Sequence, residues 1–132
     1  MKNISIAFLL LWYTFSKAQD ECWRAINESQ IQLSGKRQIL PQKFQTFSLV
    51  GNTLKENLWK APSEKNVLVN KSSCIVWLPL PDGRFQRFKV LNSPILEDAL
   101  ANAFPEFQTF SIKGIDDPTS YGKLDWNEFG FH

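Results

Sequence analysis

The chain has 132 residues, of which 43% are hydrophobic and 21% are charged, and its formal net charge is +2. This length suits a single domain with one core and leaves no room for a separate catalytic domain. The sequence contains one His and two Cys, so a three-ligand zinc site or a histidine-based catalytic triad cannot be assembled from these residues alone.

The amino terminus has the features of a secretory signal peptide. Lys2 supplies a positive charge, residues 4–15 form a mostly apolar run, and Ser16-Lys17-Ala18 places small residues at a cleavage site. The apolar run is shorter than the roughly 20 residues that a membrane-spanning helix needs. We therefore expect cleavage after Ala18 and secretion to the periplasm or the extracellular space, with a retained membrane anchor as the rival interpretation.

Removal of residues 1–18 would leave a neutral domain at 19–132. Loss of Lys2 and Lys17 reduces the 15 Lys and Arg residues to 13, which equals the number of Asp and Glu. A neutral domain creates no long-range field for nucleic acid or anionic lipid, so we expect neither as a partner after cleavage. The most basic run, Arg84-Phe85-Gln86-Arg87-Phe88-Lys89, is interpreted as an amphipathic strand with a solvated basic face.

The first half of this domain predicts two strands and a helix. Residues 25–33 and 44–50 carry patterns that favour strands. A helix is predicted over 53–61, with Asn52 as its N-cap and Pro62 at its end.

A β-hairpin is predicted next. Residues 73–80 and 84–91 are rich in strand-forming residues, and Pro81-Asp82-Gly83 between them is typical of a tight turn. Pro79 has no N–H to donate, which predicts that the first strand of this hairpin either lies at the edge of the sheet or stops pairing early.

A second helix is predicted to begin at Ser93 as N-cap, with Pro94 as its first residue and Pro105 at its end. Its apolar residues recur with helical spacing and predict one buried stripe. These residues are Ile95, Leu96, Ala99, Leu100, Ala103 and Phe104.

The carboxy-terminal part of the sequence predicts strands at 107–113 and 120–126. A rigid connection at Gly114-Ile115-Asp116-Asp117-Pro118 joins them, and residues 129–132 are predicted to start a further, incomplete strand. The predicted fold is α+β, a small, mostly antiparallel sheet with two short helices. Residues 19–132 form its single domain.

Two features leave structural alternatives open. Cys22 and Cys74 could form a disulfide in an oxidising compartment, which would contribute about 4 kcal/mol, or they could be two separate buried thiols. Asp116 and Asp117, together with Glu106 or Asp125, could bind calcium, but their spacing matches no calcium loop. We favour a structural role in the turn for Asp116 and Asp117.

Six short motifs carry a resemblance to a known family. In chain order they are Leu78-Pro79-Leu80-Pro81-Asp82-Gly83, Phe88-Lys89-Val90, Ser93-Pro94-Ile95-Leu96, Phe104-Pro105-Glu106, Gly114-Ile115-Asp116-Asp117-Pro118 and Phe129-Gly130-Phe131-His132. Their order and spacing resemble the amino-terminal, propeptide-like region of secreted reprolysin-like zinc metallopeptidases, especially those of Bacteroidetes. The resemblance covers essentially all of residues 19–132.

The resemblance implies a catalytic domain that is not within these residues. In such precursors a His-Glu-x-x-His helix of the following domain binds zinc, and that motif is absent from this sequence. We therefore expect no catalytic residue, metal ligand or cofactor here, and we expect the chain to be a fragment or truncated product that ends before the catalytic domain.

The resemblance implies that the domain assists the folding or latency of a cognate metallopeptidase catalytic domain, which is its expected partner. The expected interaction surface consists of Leu78, Pro79, Pro81, Asp82, Gly83, Gly114, Asp116, Asp117 and Pro118. The alternative is a free-standing secreted module that binds protein or glycan through exposed aromatic residues such as Phe85, Trp126 and Phe129.

Overall fold

A computed structural model describes residues 22–31, 39 and 41–132. The predicted signal peptide and its cleavage site lie outside the described residues. The described chain forms one two-stranded and one five-stranded sheet, both antiparallel, and two short helices, which confirms the predicted α+β class. The strands are β1 (Trp23–Ile26), β2 (Thr46–Leu49), β3 (Ile75–Pro79), β4 (Phe85–Asn92), β5 (Gln108–Gly114), β6 (Tyr121–Asn127) and β7 (Gly130–Phe131), and the helices are α1 (Thr53–Leu58) and α2 (Asp98–Ala103). None of the helices in this part of the chain has the length and hydropathy required to cross a membrane.

The core lies on one face of the five-stranded sheet, whose order is β3-β4-β5-β6-β7. Side chains alternate between the two faces of a strand, and the even-numbered residues of these strands carry most of the buried apolar groups. They are Val76, Leu78, Phe88, Val90, Phe110, Ile112 and Leu124. Helix α1 completes the core because Leu54 and Leu58, four residues apart on one helix face, are buried against them.

Trp23 of β1 connects the two opposite edges of this sheet. Its indole Nε1 donates a hydrogen bond of 2.9 Å to the carbonyl oxygen of Trp77 in β3. The same side chain contacts Phe131 of β7, with 5.8 Å between the ring centroids. In a flat five-stranded sheet the two edges would be about 19 Å apart. One indole can reach both only if the sheet curls around the core, and Trp23 fills the gap between its edges.

Strand β3 is at the edge of the sheet, one of the two arrangements that Pro79 predicted. The even-numbered residues of β3 exchange backbone hydrogen bonds with β4. The carbonyl groups of the odd-numbered residues Trp77 and Pro79 therefore point away from β4. The Trp77 carbonyl is occupied by the indole of Trp23, and Pro79 has no N–H to offer. Two of the outward positions of β3, the Trp77 carbonyl and the Pro79 nitrogen, are therefore not open to pairing with another chain.

The predicted strand over 25–33 is correct only for Ala25 and Ile26 and is wrong for residues 27–31. Strand β1 ends at Ile26, and a 3₁₀ turn at Glu28–Gln30 follows. The Asn27 side chain accepts a hydrogen bond from the backbone N–H of Ser29, and the Gln30 side chain accepts one from the N–H of Asn27. This capping box satisfies the donors locally and ends the strand. Residues 32–33 lie outside the described residues.

Helix α1 is shorter than predicted. It ends at Leu58. Asn52 occupies the N-cap position, as predicted, but its side chain makes no capping hydrogen bond. Trp59 and Lys60 form a turn instead, held by backbone bonds to Lys55 and Asn57.

Helix α2 does not begin at Ser93. The backbone N–H of Ser93 donates to the carbonyl of Thr109 at 2.8 Å, and its hydroxyl accepts a bond of 2.7 Å from the ammonium of Lys123. Ser93 is therefore held by the sheet, and the helix starts at Asp98 after Glu97. The predicted buried stripe is also wrong, because α2 has no buried residue. Ile95, Leu100 and Phe104 are 75%, 50% and 46% exposed, respectively.

The last strands agree with the prediction to within about one residue at each end. Strand β7, predicted as an incomplete strand at 129–132, pairs with β6 at Gly130–Phe131. Two backbone hydrogen bonds of 2.9 Å join Asp125 and His132 beyond this pair.

Candidate functional site

The two halves of the predicted interaction surface meet at one end of the sheet. The β3–β4 turn at 80–84 and the β5–β6 connection at 115–120 follow strands that run in the same direction, with β4 between them. Gly114 lies opposite Phe88 of β4, and the N–H of Ile115 donates to the carbonyl of Arg87 at 2.9 Å. We call these two segments together the turn end.

The β3–β4 turn is held by its own side chains. The N–H of Gly83 donates to Leu80 at 2.9 Å, and Gly83 has a positive φ of 86°, which favours glycine. The Asp82 carboxylate accepts bonds from the backbone N–H of Arg84 at 3.0 Å and from its Nε at 2.7 Å. These two interactions, the backbone bond first, hold the pKa of Asp82 below its ordinary value.

The connection is fixed to β4 by Arg87 and Asp116. The Asp116 carboxylate accepts from the backbone N–H of Arg87 at 2.9 Å and from its Nε at 3.0 Å, and the guanidinium lies 5.7 Å from the ring centroid of Trp77. The side-chain hydrogen bond of Arg87 is the main cause that lowers the pKa of Asp116, and the same bond raises the pKa of Arg87. Arg87 is exposed, as the predicted solvated basic face requires, and it also orients the connection.

The Asp117 side chain forms its hydrogen bonds within the connection. Its carboxylate accepts from the Thr119 hydroxyl at 2.6 Å, from the Thr119 N–H at 2.9 Å and from the Ser120 hydroxyl at 2.9 Å. The Thr119 hydroxyl is the main cause that lowers the pKa of Asp117. These contacts support the structural interpretation of both carboxylates. No group of three or more His, Cys, Asp or Glu is placed to hold a metal ion in the described ranges.

The members of the predicted surface differ in exposure. Pro81, Asp82, Asp116, Asp117 and Pro118 are exposed, and Pro79 and Gly83 are half-buried. Leu78 and Gly114 are buried, so they support the turn end from beneath and offer no contact area. The accessible part of the surface is formed by prolines and by carboxylates with fixed orientation.

Two of the three aromatic residues predicted to be exposed are packed. The Phe85 ring contacts Phe47 of β2 with 5.6 Å between centroids, and Trp126 lies 5.9 Å from Trp59. Phe129 is 83% exposed, so it alone of the three offers an open ring.

Cys22 and Cys74 are not bonded to each other in the structure. Cys74 belongs to the core, Cys22 packs against that core, and the Cys74 thiol donates to the carbonyl of Asn57 at 3.3 Å. Burial raises the pKa of the Cys74 thiol, which disfavours a reactive thiolate. The disulfide stays a prediction.

The turn end should lose stability in acid. A carboxylate group whose pKa is lowered by folding stabilises the folded state at pH values above its ordinary pKa of 3.8. This stabilisation is lost as the pH falls through the lower pKa that the group has in the folded state. We expect Asp116→Asn to unfold more easily than the wild type at pH 7, with a difference that shrinks below about pH 4. Urea unfolding from pH 7 to pH 2 measures this. A difference that is independent of pH would contradict it.

Comparisons of the chain with protein-family models, with curated proteins and with solved structures find no match.

Proposed function

We propose that this chain is the propeptide-like region of a secreted zinc metallopeptidase precursor and that it assists the folding or latency of the catalytic domain. The observation that carries the proposal is the position of two motifs of the family resemblance. Leu78-Pro79-Leu80-Pro81-Asp82-Gly83 and Gly114-Ile115-Asp116-Asp117-Pro118 are separated by 30 intervening residues and lie side by side at the turn end.

The turn end is well suited to bind a protein. Each of its three carboxylates is held by donors of its own segment or of β4, so little side-chain freedom remains to be lost on binding. The exposed residues Pro81 and Pro118 add rigid apolar contact area beside these carboxylates. A preorganised surface of this kind favours a protein partner with complementary donors.

In this proposal the chain binds the catalytic domain and does not itself catalyse a reaction. Zinc would be bound by residues of the catalytic domain, and the described residues bring together no ligand set for it. In this proposal the domain acts outside the cytoplasm after signal cleavage.

Binding to the catalytic domain of the same precursor tests the proposal. We expect the secreted chain to bind the separately produced catalytic domain with a Kd below about 10 µM and to inhibit peptide cleavage. The double substitution Pro81→Lys and Pro118→Lys at the turn end should weaken binding by about tenfold or more, because it places two charged side chains in the contact.

Leu68→Lys is the matched control, since Leu68 is 74% exposed and belongs to neither turn. It should bind like the wild type, and all variants should keep the wild-type Tm. Absence of binding and inhibition by the folded wild-type chain would reject the proposal. An equal loss of binding affinity in the control and in the double variant would reject the turn end as the contact surface.

A free-standing secreted binding module is the second candidate. The observation in its favour is Phe129, an aromatic ring that is 83% exposed. This candidate predicts that Phe129→Ala reduces binding to a protein or glycan unrelated to peptidases.

A further inference from the structure

A cleft of about 410 Å³ lies between the segment at 94–107 and strands β5 and β6. One wall is apolar and is formed by Pro94, Ile95, Leu96, Ala101 and Phe107. This wall exists because Ser93 is held in the sheet and α2 has no buried residue, so the apolar side chains around α2 remain outside the core. A mostly apolar cleft of this size is typical of a ligand site.

The floor of the cleft is polar. Thr109 of β5 and the residues Lys123, Asp125 and Asn127 of β6 lie on one face of the sheet, opposite to the core, because side chains alternate along a strand. The direct hydrogen bond between Lys123 and Ser111, which are cross-strand neighbours, agrees with this orientation. The floor therefore brings two charged groups of opposite sign to an apolar wall.

The charge of Lys123 is balanced within the protein. Its ammonium donates to the hydroxyl groups of Ser93 and Ser111, each at 2.7 Å. The Ser111 hydroxyl in turn donates to the Glu64 carboxylate at 3.3 Å. The hydroxyl links the cation to a carboxylate, so Lys123 needs no further anion.

Asp125 has no such balance. Its carboxylate accepts a bond of 3.0 Å from the neutral amide of Asn127. Within the described ranges, the salt bridges are Arg84 to Asp82 and Arg87 to Asp116, and no cation is paired with Asp125. The cleft thus holds a carboxylate with no directly paired cation among the described residues, beside an apolar wall.

We propose that this cleft binds an arginine or lysine side chain of a partner protein. The aliphatic stem packs against the wall that contains Leu96, Ala101 and Phe107, and the terminal cation binds the Asp125 carboxylate. The inference does not depend on the proposed function, because the turn end and the cleft are formed by different residues.

The test uses N-acetyl-L-arginine N-methylamide and its citrulline counterpart, which has the same shape and no charge. Titration of the full secreted chain, followed by NMR at the backbone N–H of Asp125 and the side-chain amide of Asn127, should give saturable shifts in the millimolar range for arginine. The citrulline probe should bind about fivefold more weakly or worse.

Asp125→Asn should weaken arginine binding about fivefold and leave citrulline binding unchanged, because it keeps the shape and the acceptor for Asn127. Glu56→Gln is the matched control: it removes the same charge from α1, on the core side of the sheet, and should bind like the wild type. Ala101→Phe, which fills the wall, should reduce binding of both probes. Equal affinity for the two probes, equal loss in both charge variants, or no saturable shift would overturn the proposal.

Discussion

Replacement of Gly114 by alanine is expected to lower the free energy of unfolding by about 2–4 kcal/mol. A Cβ at this position would lie 2.2 Å from the backbone carbonyl oxygen of Asp117 and 3.1 Å from Nε2 of Gln86. The first contact is the decisive one, because a backbone oxygen in a connection held by Thr119 and Ser120 cannot move away as a flexible side chain can. Urea unfolding followed by tryptophan fluorescence measures the loss.

Gly122→Ala is the control for this experiment. Its Cβ would meet the side chain of Ile112 at 3.5 Å, which is an ordinary contact distance. In a strand, alanine costs less backbone entropy than glycine, so this variant should be neutral or slightly more stable, within about 1 kcal/mol. Similar stabilities of the Gly114 and Gly122 variants would contradict the role of the close approach to Asp117.

The succession of strands along the chain in the second half of the domain was predictable from local sequence. Pro81-Asp82-Gly83 between two strand-forming runs determines a hairpin, and the structure has β3 and β4 on either side of it. The edge position of β3 is one of the two arrangements that Pro79 predicted. These predictions depend on short-range turn chemistry and on the missing N–H of proline, which the sequence shows directly.

The position of α2 could not be predicted in the same way. Ser93-Pro94 before an apolar periodic run is typical of a helix start. In the structure, however, Ser93 is bonded to Thr109 and Lys123, which lie 16 and 30 residues away. Tertiary contacts of this kind outcompete a local cap, and periodicity alone does not show whether an apolar stripe finds a core to cover.

The candidate site was only partly predictable for a related reason. The residues of both turns stand out in the sequence, but their proximity depends on β4 pairing with β5 across the α2 segment. The role of Arg87 was missed because its partner, Asp116, is 29 residues away. An alternating basic strand followed by an acidic turn was the available signal, and it does not specify which charges meet.

Trp23→Ala is expected to reduce the free energy of unfolding by about 2–4 kcal/mol, because the side chain is half-buried and fills the gap between the two edges of the sheet. It removes the contact with Phe131 and the hydrogen bond to the carbonyl of Trp77. Tyr121→Ala, at a position that is 87% exposed, is the control for loss of an aromatic ring and should change the stability by less than about 0.5 kcal/mol.

Trp23→Phe separates the two contributions of this residue. It keeps an aromatic ring near Phe131 but loses the indole donor and part of the ring volume, so the expected cost is about 1–2 kcal/mol, less than for Trp23→Ala. In Trp23→Ala the outer carbonyl group of Trp77 in β3 also loses its donor, and association of β3 with another chain should increase. Urea unfolding together with light scattering at increasing protein concentration measures both effects. If Trp23→Ala were as stable and as monomeric as Tyr121→Ala, the sheet would not depend on Trp23 to hold its edges together.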